Sequence, residues 1–228
     1  MAVSFRVNGE GNAEVVRKKS RFLSVLLSVN DEKQAFSEID RIKKEHYNAR
    51  HNCFAFIVGK EPFTERFSDD GEPQGTAGKV ILDVMKHNHL SNALIVVTRY
   101  FGGVLLGTGG LTEAYSAAAA EAVKNAGLMR VLWGRQVDIS LDYTDYGKLE
   151  YLIRDKGIPV LSSDFSESVK VSVMTLDKED DECSLMTSEA FVNKVTELTN
   201  GKGKSEVSDV IEFGLSDGKV ILSSEDNP

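Results

Sequence analysis

The amino-acid sequence predicts an α+β protein of two domains, and three observations carry that expectation. The chain has 228 residues, room for two domains of roughly 100 residues each. Its charge divides near Arg130. Residues 1–130 hold 17 Lys+Arg against 15 Asp+Glu, a net of +2, while residues 131–228 hold 10 against 20, a net of −10. The hydrophobic rhythm changes at the same place, from short apolar runs to apolar–polar alternation. Domains are expected at 1–130 and 135–222, with the boundary near Arg130–Gly134.

Ala13 to Val29 reads as extended chain around a basic knot, Arg17-Lys18-Lys19-Ser20-Arg21. Asp31 is placed to cap a helix running to about Tyr47, because Ala35, Ile39 and Ile42 recur at helical spacing. Cys53 to Val58 is a short, mostly apolar run, as in a strand buried on both faces. Glu61 to Gly75 reads as a polar loop, about 15 residues long and so more than a connector. A helix from Thr76 or Ala77 to about His87 follows, then a second buried strand, Ala93 to Thr98. Gly102 to Gly110 reads as a glycine-rich loop, and Leu111 to Asn125 as an alanine-rich helix stopped by Gly127.

In the second half Val137, Ile139, Leu141 and Tyr143 alternate with polar residues, the pattern of a strand with one wet face. Tyr146 to Lys156 is helical in spacing and ends at Gly157-Ile158-Pro159. Val160–Phe165 and Val169–Thr175 form an expected hairpin around Ser166-Glu167-Ser168. The acidic run from Asp177 to Glu182 is placed to open a helix reaching Leu198, since negative charge suits a helix N-terminus. Ser205 to Phe213 closes with a strand, and Lys219–Leu222 adds a short one after Asp217-Gly218. The order β-α-β-β-α-β is the split, ferredoxin-like pattern.

Composition excludes several classes. No apolar run reaches the roughly 20 residues of a membrane span, and Met1 to Glu10 carries no basic-then-apolar export signal. Two cysteines, Cys53 and Cys183, make neither a disulfide framework nor a zinc ligand set. A soluble, cytoplasmic protein without cofactor or bound metal is the expectation. The total charge of −8 argues against nucleic acid until it is partitioned. The acidity belongs to the second domain, where it serves solubility or meets a basic protein partner.

Three segments of the first domain are dense in chemistry. Lys19 and Arg21, with Arg50 and His51 at the start of the next strand, set cations for phosphate or else protect a sheet edge. The segment Arg66 to Lys79 holds Asp69, Asp70 and Glu72, which either brace the loop against Arg66, Lys79 or Arg99 or hold a divalent ion. Gly75-Thr76-Ala77-Gly78, at a helix start, leaves backbone amides for an anion. Arg99 and Tyr100 precede Gly107, Thr108, Gly109 and Gly110, a turn that suits a phosphate or lets the chain pass close to the sheet. No Gly-Lys-Ser/Thr follows, and the third glycine of a dinucleotide fingerprint is absent. No nucleophilic set is persuasive: Cys53 lies in an apolar strand, and His87 and His89 are spaced i,i+2, which sends them in different directions on a helix.

Taken together, Lys18-Lys19-Ser20-Arg21-Phe22, Ala49-Arg50-His51-Asn52-Cys53, Phe67-Ser68-Asp69-Asp70-Gly71-Glu72-Pro73, Gly75-Thr76-Ala77-Gly78, Arg99-Tyr100-Phe101-Gly102-Gly103 and Leu106-Gly107-Thr108-Gly109-Gly110-Leu111 resemble the IMPACT family, including its bacterial YigZ-type members. That resemblance implies a first domain of α/β type, like a fold shared by a ribosomal protein, elongation factor G and a group of small-molecule kinases. It implies a ferredoxin-like second domain similar to the last domain of elongation factor G. Eukaryotic members are linked to regulation of translation, through competition for an activator of a stress kinase, and carry an added RWD domain for that purpose. The expectation is a translation-related, non-enzymatic protein whose first domain binds RNA or the ribosome. On that reading Lys19, Arg21, Arg50, His51, Lys79 and Arg99 meet phosphate, Tyr100 or Phe101 stacks a base, and Gly107–Gly110 supply backbone donors. The alternative is a small-molecule phosphate or nucleotide site in which Asp69, Asp70 or Glu72 holds Mg²⁺.

Overall fold

The computed structural model describes residues 4–60, 62–181, 183–216 and 219–222, and the chain divides into two units, Met1–Arg130 and Val131–Pro228. In the first unit, strands β2 (Gly11–Arg17), β3 (Ser20–Ser28), β4 (His51–Val58), β5 (Thr64–Ser68) and β6 (Ala93–Tyr100) form one sheet in the order β2-β3-β6-β4-β5. Helix α1 (Glu32–Glu45) covers one face; α2 (Gly78–His87) and α3 (Gly107–Asn125) cover the other. Strand β4 shows why its sequence is apolar throughout. Phe54, Phe56 and Val58 pack with Ala35, Ile39 and Ile42, whereas Cys53, Ala55 and Ile57 pack with the α2 and α3 side. Asp31 caps α1 as expected, its side chain accepting from Gln34 N at 2.7 Å.

The alanines of α3 let it lie close to the sheet. Ala114, Ala118, Ala119 and Ala122 are buried, and Ser24 Oγ donates to Ala118 O at 2.7 Å. A Cβ on Gly11 of β2 would stand 2.2 Å from Ala122 O, so that approach requires glycine.

Two expectations for this unit are corrected. The segment foreseen as a loop from Glu61 to Gly75 contains β5, paired antiparallel with β4 from Phe54↔Ser68 to Val58↔Thr64. Glu61 itself lies outside the described residues. The missed strand, Thr64-Glu65-Arg66-Phe67-Ser68, sits at the sheet edge and is largely exposed, and polar edge strands carry little hydrophobic signal. Gly107 to Gly110 is not loop but the first turn of α3. Glycine disfavours a helix interior, yet the alanine-rich remainder packs against the sheet and carries the helix back to Gly107.

Strand β7 (Leu128–Leu141) is unbroken across the division. Its first three residues pair with β1 (Phe5–Val7) in the first unit. In the second unit β7 is followed by α4 (Tyr143–Asp155), β8 (Val160–Phe165), β9 (Val169–Leu176), α5 (Ser188–Leu198), β10 (Lys204–Val207), β11 (Ile211–Ser216) and β12 (Lys219–Leu222). Pairing runs β8-β9-β7-β10, all antiparallel, the ferredoxin-like arrangement of the split β-α-β. Val137, Ile139, Leu141, Val169, Val171 and Val173 form the core under α4 and α5.

The acidic run does not open a helix. Asp177 N donates to Trp133 O at 3.0 Å and its carboxylate accepts from Arg135 Nε at 2.7 Å, which ties this stretch to β7. The cap is Thr187, whose hydroxyl accepts from Ala190 N at 3.3 Å; Glu182, named for the acidic run, lies outside the described residues. Tyr143, foreseen as strand, is the first residue of α4, and the strand foreseen over Ser205–Phe213 is two. Both pair with β7, at residues 137–140 and 131–134. Asp217-Gly218 lies outside the described residues.

Candidate functional site

One end of the first sheet gathers the chemically dense segments. The starts of β3 and β4 meet the end of β6 there, in the registers Arg21↔Tyr100 and His51↔Arg99, and Arg50 N donates to Arg99 O at 3.2 Å. The chain leaves β6 into the loop before α3 and leaves β5 into the loop before α2. Both helices therefore begin at this end.

The three carboxylates between β5 and α2 each engage a different set of partners. Asp69 accepts from Gly75 N at 2.8 Å, Ala77 N at 3.1 Å and Gly78 N at 2.8 Å. Its carboxylate thus sits where an anion at the α2 N-terminus would sit. Asp70 accepts from Asn52 N at 2.7 Å and from Lys43 Nζ at 2.9 Å. Glu72 is buried and accepts from Arg99 Nη1 at 2.6 Å and the Tyr115 hydroxyl at 2.9 Å, with His51 Nε2 at 3.9 Å. His51 Nδ1 lies 2.8 Å from Asp70 O; a carbonyl only accepts, so Nδ1 carries a proton. Among the described residues no group of three His, Cys, Asp or Glu is arranged to hold a metal.

Burial dominates the thiol and phenol of this cluster. Cys53 Sγ is 3.0 Å from Asp69 O and 3.3 Å from the Tyr115 hydroxyl. Removal from water, which disfavours the thiolate, pushes its pKa up to about 12. The Tyr115 hydroxyl is likewise pushed above its ordinary range, first by burial and then by Cys53 and Glu72. Burial thus favours the protonated thiol and phenol over their nucleophilic anions. Tyr115 and Lys43 were missed in the sequence; Tyr115 is the one large residue in the alanine stripe of α3, a signal that something other than the sheet engages it.

The cations divide into those that meet a described carboxylate and those that do not. Arg99 is buried between the rings of Phe22 and Phe101, 5.4 and 5.6 Å from their centroids, so its charge serves Glu72. Lys79 pairs with Asp83, and Arg21 with Glu14 through Nε at 2.6 Å and Nη2 at 3.2 Å. The Tyr100 hydroxyl is held by His46 Nδ1 at 2.8 Å and donates to Asn48 Oδ1 at 3.3 Å. Lys18, Lys19 and Arg50 are exposed, and no described carboxylate forms an ion pair with any of them. The Arg50 guanidinium lies over the Phe101 ring at 5.8 Å. At the start of α3, Leu106 offers no side-chain cap, and a Cβ on Gly107 or Gly109 would meet nothing within 4 Å.

Lys18 and Lys19 are the two turn residues between the paired Arg17 and Ser20, with φ of +44° and +68°. Two-residue hairpins of this hand favour Asn-Gly, and a left-handed backbone costs an ordinary residue about 1–2 kcal/mol. The double change Lys18→Asn, Lys19→Gly is expected to raise stability by about 1 kcal/mol, read from the urea midpoint at constant slope. A fall in that midpoint would contradict the strain.

Residues 18–123 match the family model described as the Impact N-terminal domain, and residues 139–179 match a domain of unknown function, DUF1949. The chain is 39% identical over 198 residues to the IMPACT family member YvyE of Bacillus subtilis (strain 168), covering 87% of this chain and 88% of that one. The chain belongs to the IMPACT family. It is 33% identical over 158 residues to the family member YigZ of Escherichia coli (strain K12), across 68% of this chain and 78% of YigZ. Protein IMPACT of Homo sapiens shares 31% identity over 98 residues, 41% of this chain and 30% of the human one. A crystal structure described as that of a hypothetical protein superposes with a TM-score of 0.55 at 27% identity, over 90% of this chain and 97% of that one. The Impact-type segment encloses every residue of the sheet end, from Lys18 to Tyr115.

Proposed function

We propose that this IMPACT-family chain is a translation-related regulatory protein that binds RNA or the ribosome through its first domain and catalyses no reaction. One observation carries the reading: Lys18, Lys19 and Arg50, exposed and unmatched by any described carboxylate, flank the loop that leaves the central strand β6. Three cations held by a rigid sheet end suit successive phosphates, and the uncapped amides of α3 add neutral donors. The link to translation comes from family membership. The second domain, with its net charge of −10, suits a basic protein surface and repels RNA. A cytoplasmic location goes with this reading. No helix among the described residues is long and apolar enough to cross a membrane.

The small-molecule alternative loses most of its residues to internal contacts. Asp69, Asp70, Glu72, Lys79 and Arg99 all have partners within the domain, which leaves only the amides of α3 for a phosphate.

Binding is expected to weaken with salt. Each phosphate neutralised on a single strand contributes about −0.7 to the slope of log affinity against log salt, so three contacts give roughly −2. Fluorescence anisotropy on labelled RNA at several salt concentrations measures it. The triple variant Lys18→Ala, Lys19→Ala, Arg50→Ala is expected to flatten the slope nearly to zero. Absence of RNA and ribosome binding at low salt removes the proposal.

A further inference from the structure

Exposed cations account for affinity to any polyanion, but the loop between them is apolar. Phe101, Val104 and Leu105 are 40%, 43% and 82% exposed. They occupy the connection from β6 to α3, and β6 lies between β3 and β4 in the sheet. The loop therefore emerges with Lys18 and Lys19, just before β3, on one flank and Arg50, just before β4, on the other. Gly102 locks the first flank in place. Its N–H donates to Ser20 Oγ at 3.1 Å, and a Cβ there would stand 2.1 Å from the Lys19 carbonyl carbon. The turn that carries both lysines is thus held against the loop at left-handed backbone angles. Such strain persists where the surrounding structure over-determines it, as at ligand clamps.

We infer that this end of the first domain recognises unpaired, single-stranded RNA, with the apolar loop against base faces and the flanking cations on the backbone. The inference rests on the RNA reading above and narrows it. A duplex presents phosphates and 2′-hydroxyls but keeps its base faces stacked, so it leaves Leu105 and Val104 against a polar surface. A single strand offers base faces that stack on aromatic or guanidinium planes or lie between apolar side chains. Phe101 with Arg50 over its ring supplies such planes, and Val104 and Leu105 supply the apolar contact. The charge order, cations on both sides of an apolar centre, matches a chain whose phosphates run outside its bases.

The test measures anisotropy of the full chain with two probes of equal nucleotide count at equal salt, an unstructured oligoribonucleotide and a hairpin duplex. The expected result is about tenfold tighter binding of the single strand. The double variant Val104→Ser, Leu105→Ser is expected to lose about tenfold on the single strand alone with an unchanged salt slope. Leu105→Ser, at the most exposed position, repeats the measurement should the double variant melt early. Equal affinity for both probes, with no effect of the serine variants, overturns the inference while the RNA reading stands. A serine effect on intact ribosomes but on neither naked RNA also overturns it, since the loop then meets protein. Failure of both probes and of ribosomes to bind overturns the inference and the RNA reading together.

Discussion

Glu72→Ala is expected to cost about 3–5 kcal/mol of folding stability, the range for breaking one side of a buried ion pair. The Glu72 and Arg99 side chains are 3% and 6% exposed and meet at 2.6 Å. Removing the carboxylate leaves a guanidinium that is always charged and nearly buried beside the rings of Phe22 and Phe101. It also leaves the Tyr115 hydroxyl without the acceptor 2.9 Å away. The cost is therefore the desolvation of an unpaired cation, not the net worth of the pair. That distinction is measurable by urea denaturation. Glu72→Leu combined with Arg99→Met, which removes both charges, is expected to be less damaging than Glu72→Ala alone. A double change worse than the single one would mean that the pair contributes net stability beyond satisfying its members. Because Arg99 also supports the Phe101 ring, RNA affinity is expected to fall in Glu72→Ala even at temperatures where it remains folded.

Gly102→Ala acts on the same end through sterics. The added Cβ would approach Lys19 C at 2.1 Å, Lys19 O at 2.2 Å and Ser20 N at 2.4 Å. All three are backbone atoms, so no rotamer change relieves the clash and the β2–β3 turn must part from the loop. The expected loss is about 1–3 kcal/mol of stability, as for overpacking elsewhere, with loss of the geometry that unites lysines and apolar loop. Gly109→Ala provides the contrast, because its Cβ would meet nothing within 4 Å and it lies in α3. There alanine is expected to add up to about 1 kcal/mol. Thermal unfolding with anisotropy on the same samples separates the two: Gly102→Ala should lose both stability and binding. Retention of wild-type binding by a folded Gly102→Ala protein would argue against the united geometry.

Much of the fold was legible because its elements obey simple periodicities. The α1 cap at Asp31, the doubly buried β4, and the hairpin of β8 and β9 each have a local cause that sequence exposes. The failures share a physical origin as well. Strand β5 is polar because an edge strand need not be apolar, and the α3 start is glycine because tertiary packing overrides propensity. The acidic run stays out of helix because Arg135 and the Trp133 carbonyl capture Asp177, contacts 42 and 44 positions away in sequence. For the site, sequence placed the dense segments but not their sidedness. Nothing local says that Arg99 points into the domain and Arg50 away from it, or that Asp69 fills the glycine-rich α2 end that would suit a ligand. The left-handed backbone of Lys18, with φ of +44°, follows from the two-residue turn and leaves no mark in composition.

Strand β7 has a consequence for how such a chain can be dissected or recombined. Arg130 is registered with Phe5, and the very next residue, Val131, with Gly214. Tolerance of inserted or severed chain follows from the hydrogen bonding of the backbone affected, so the seam suggested by the charge partition is a poor site for a fusion or a graft. A graft there should leave residues 128–130 free to pair with β1 and supply residues that pair with β11 as Val131–Gly134 do.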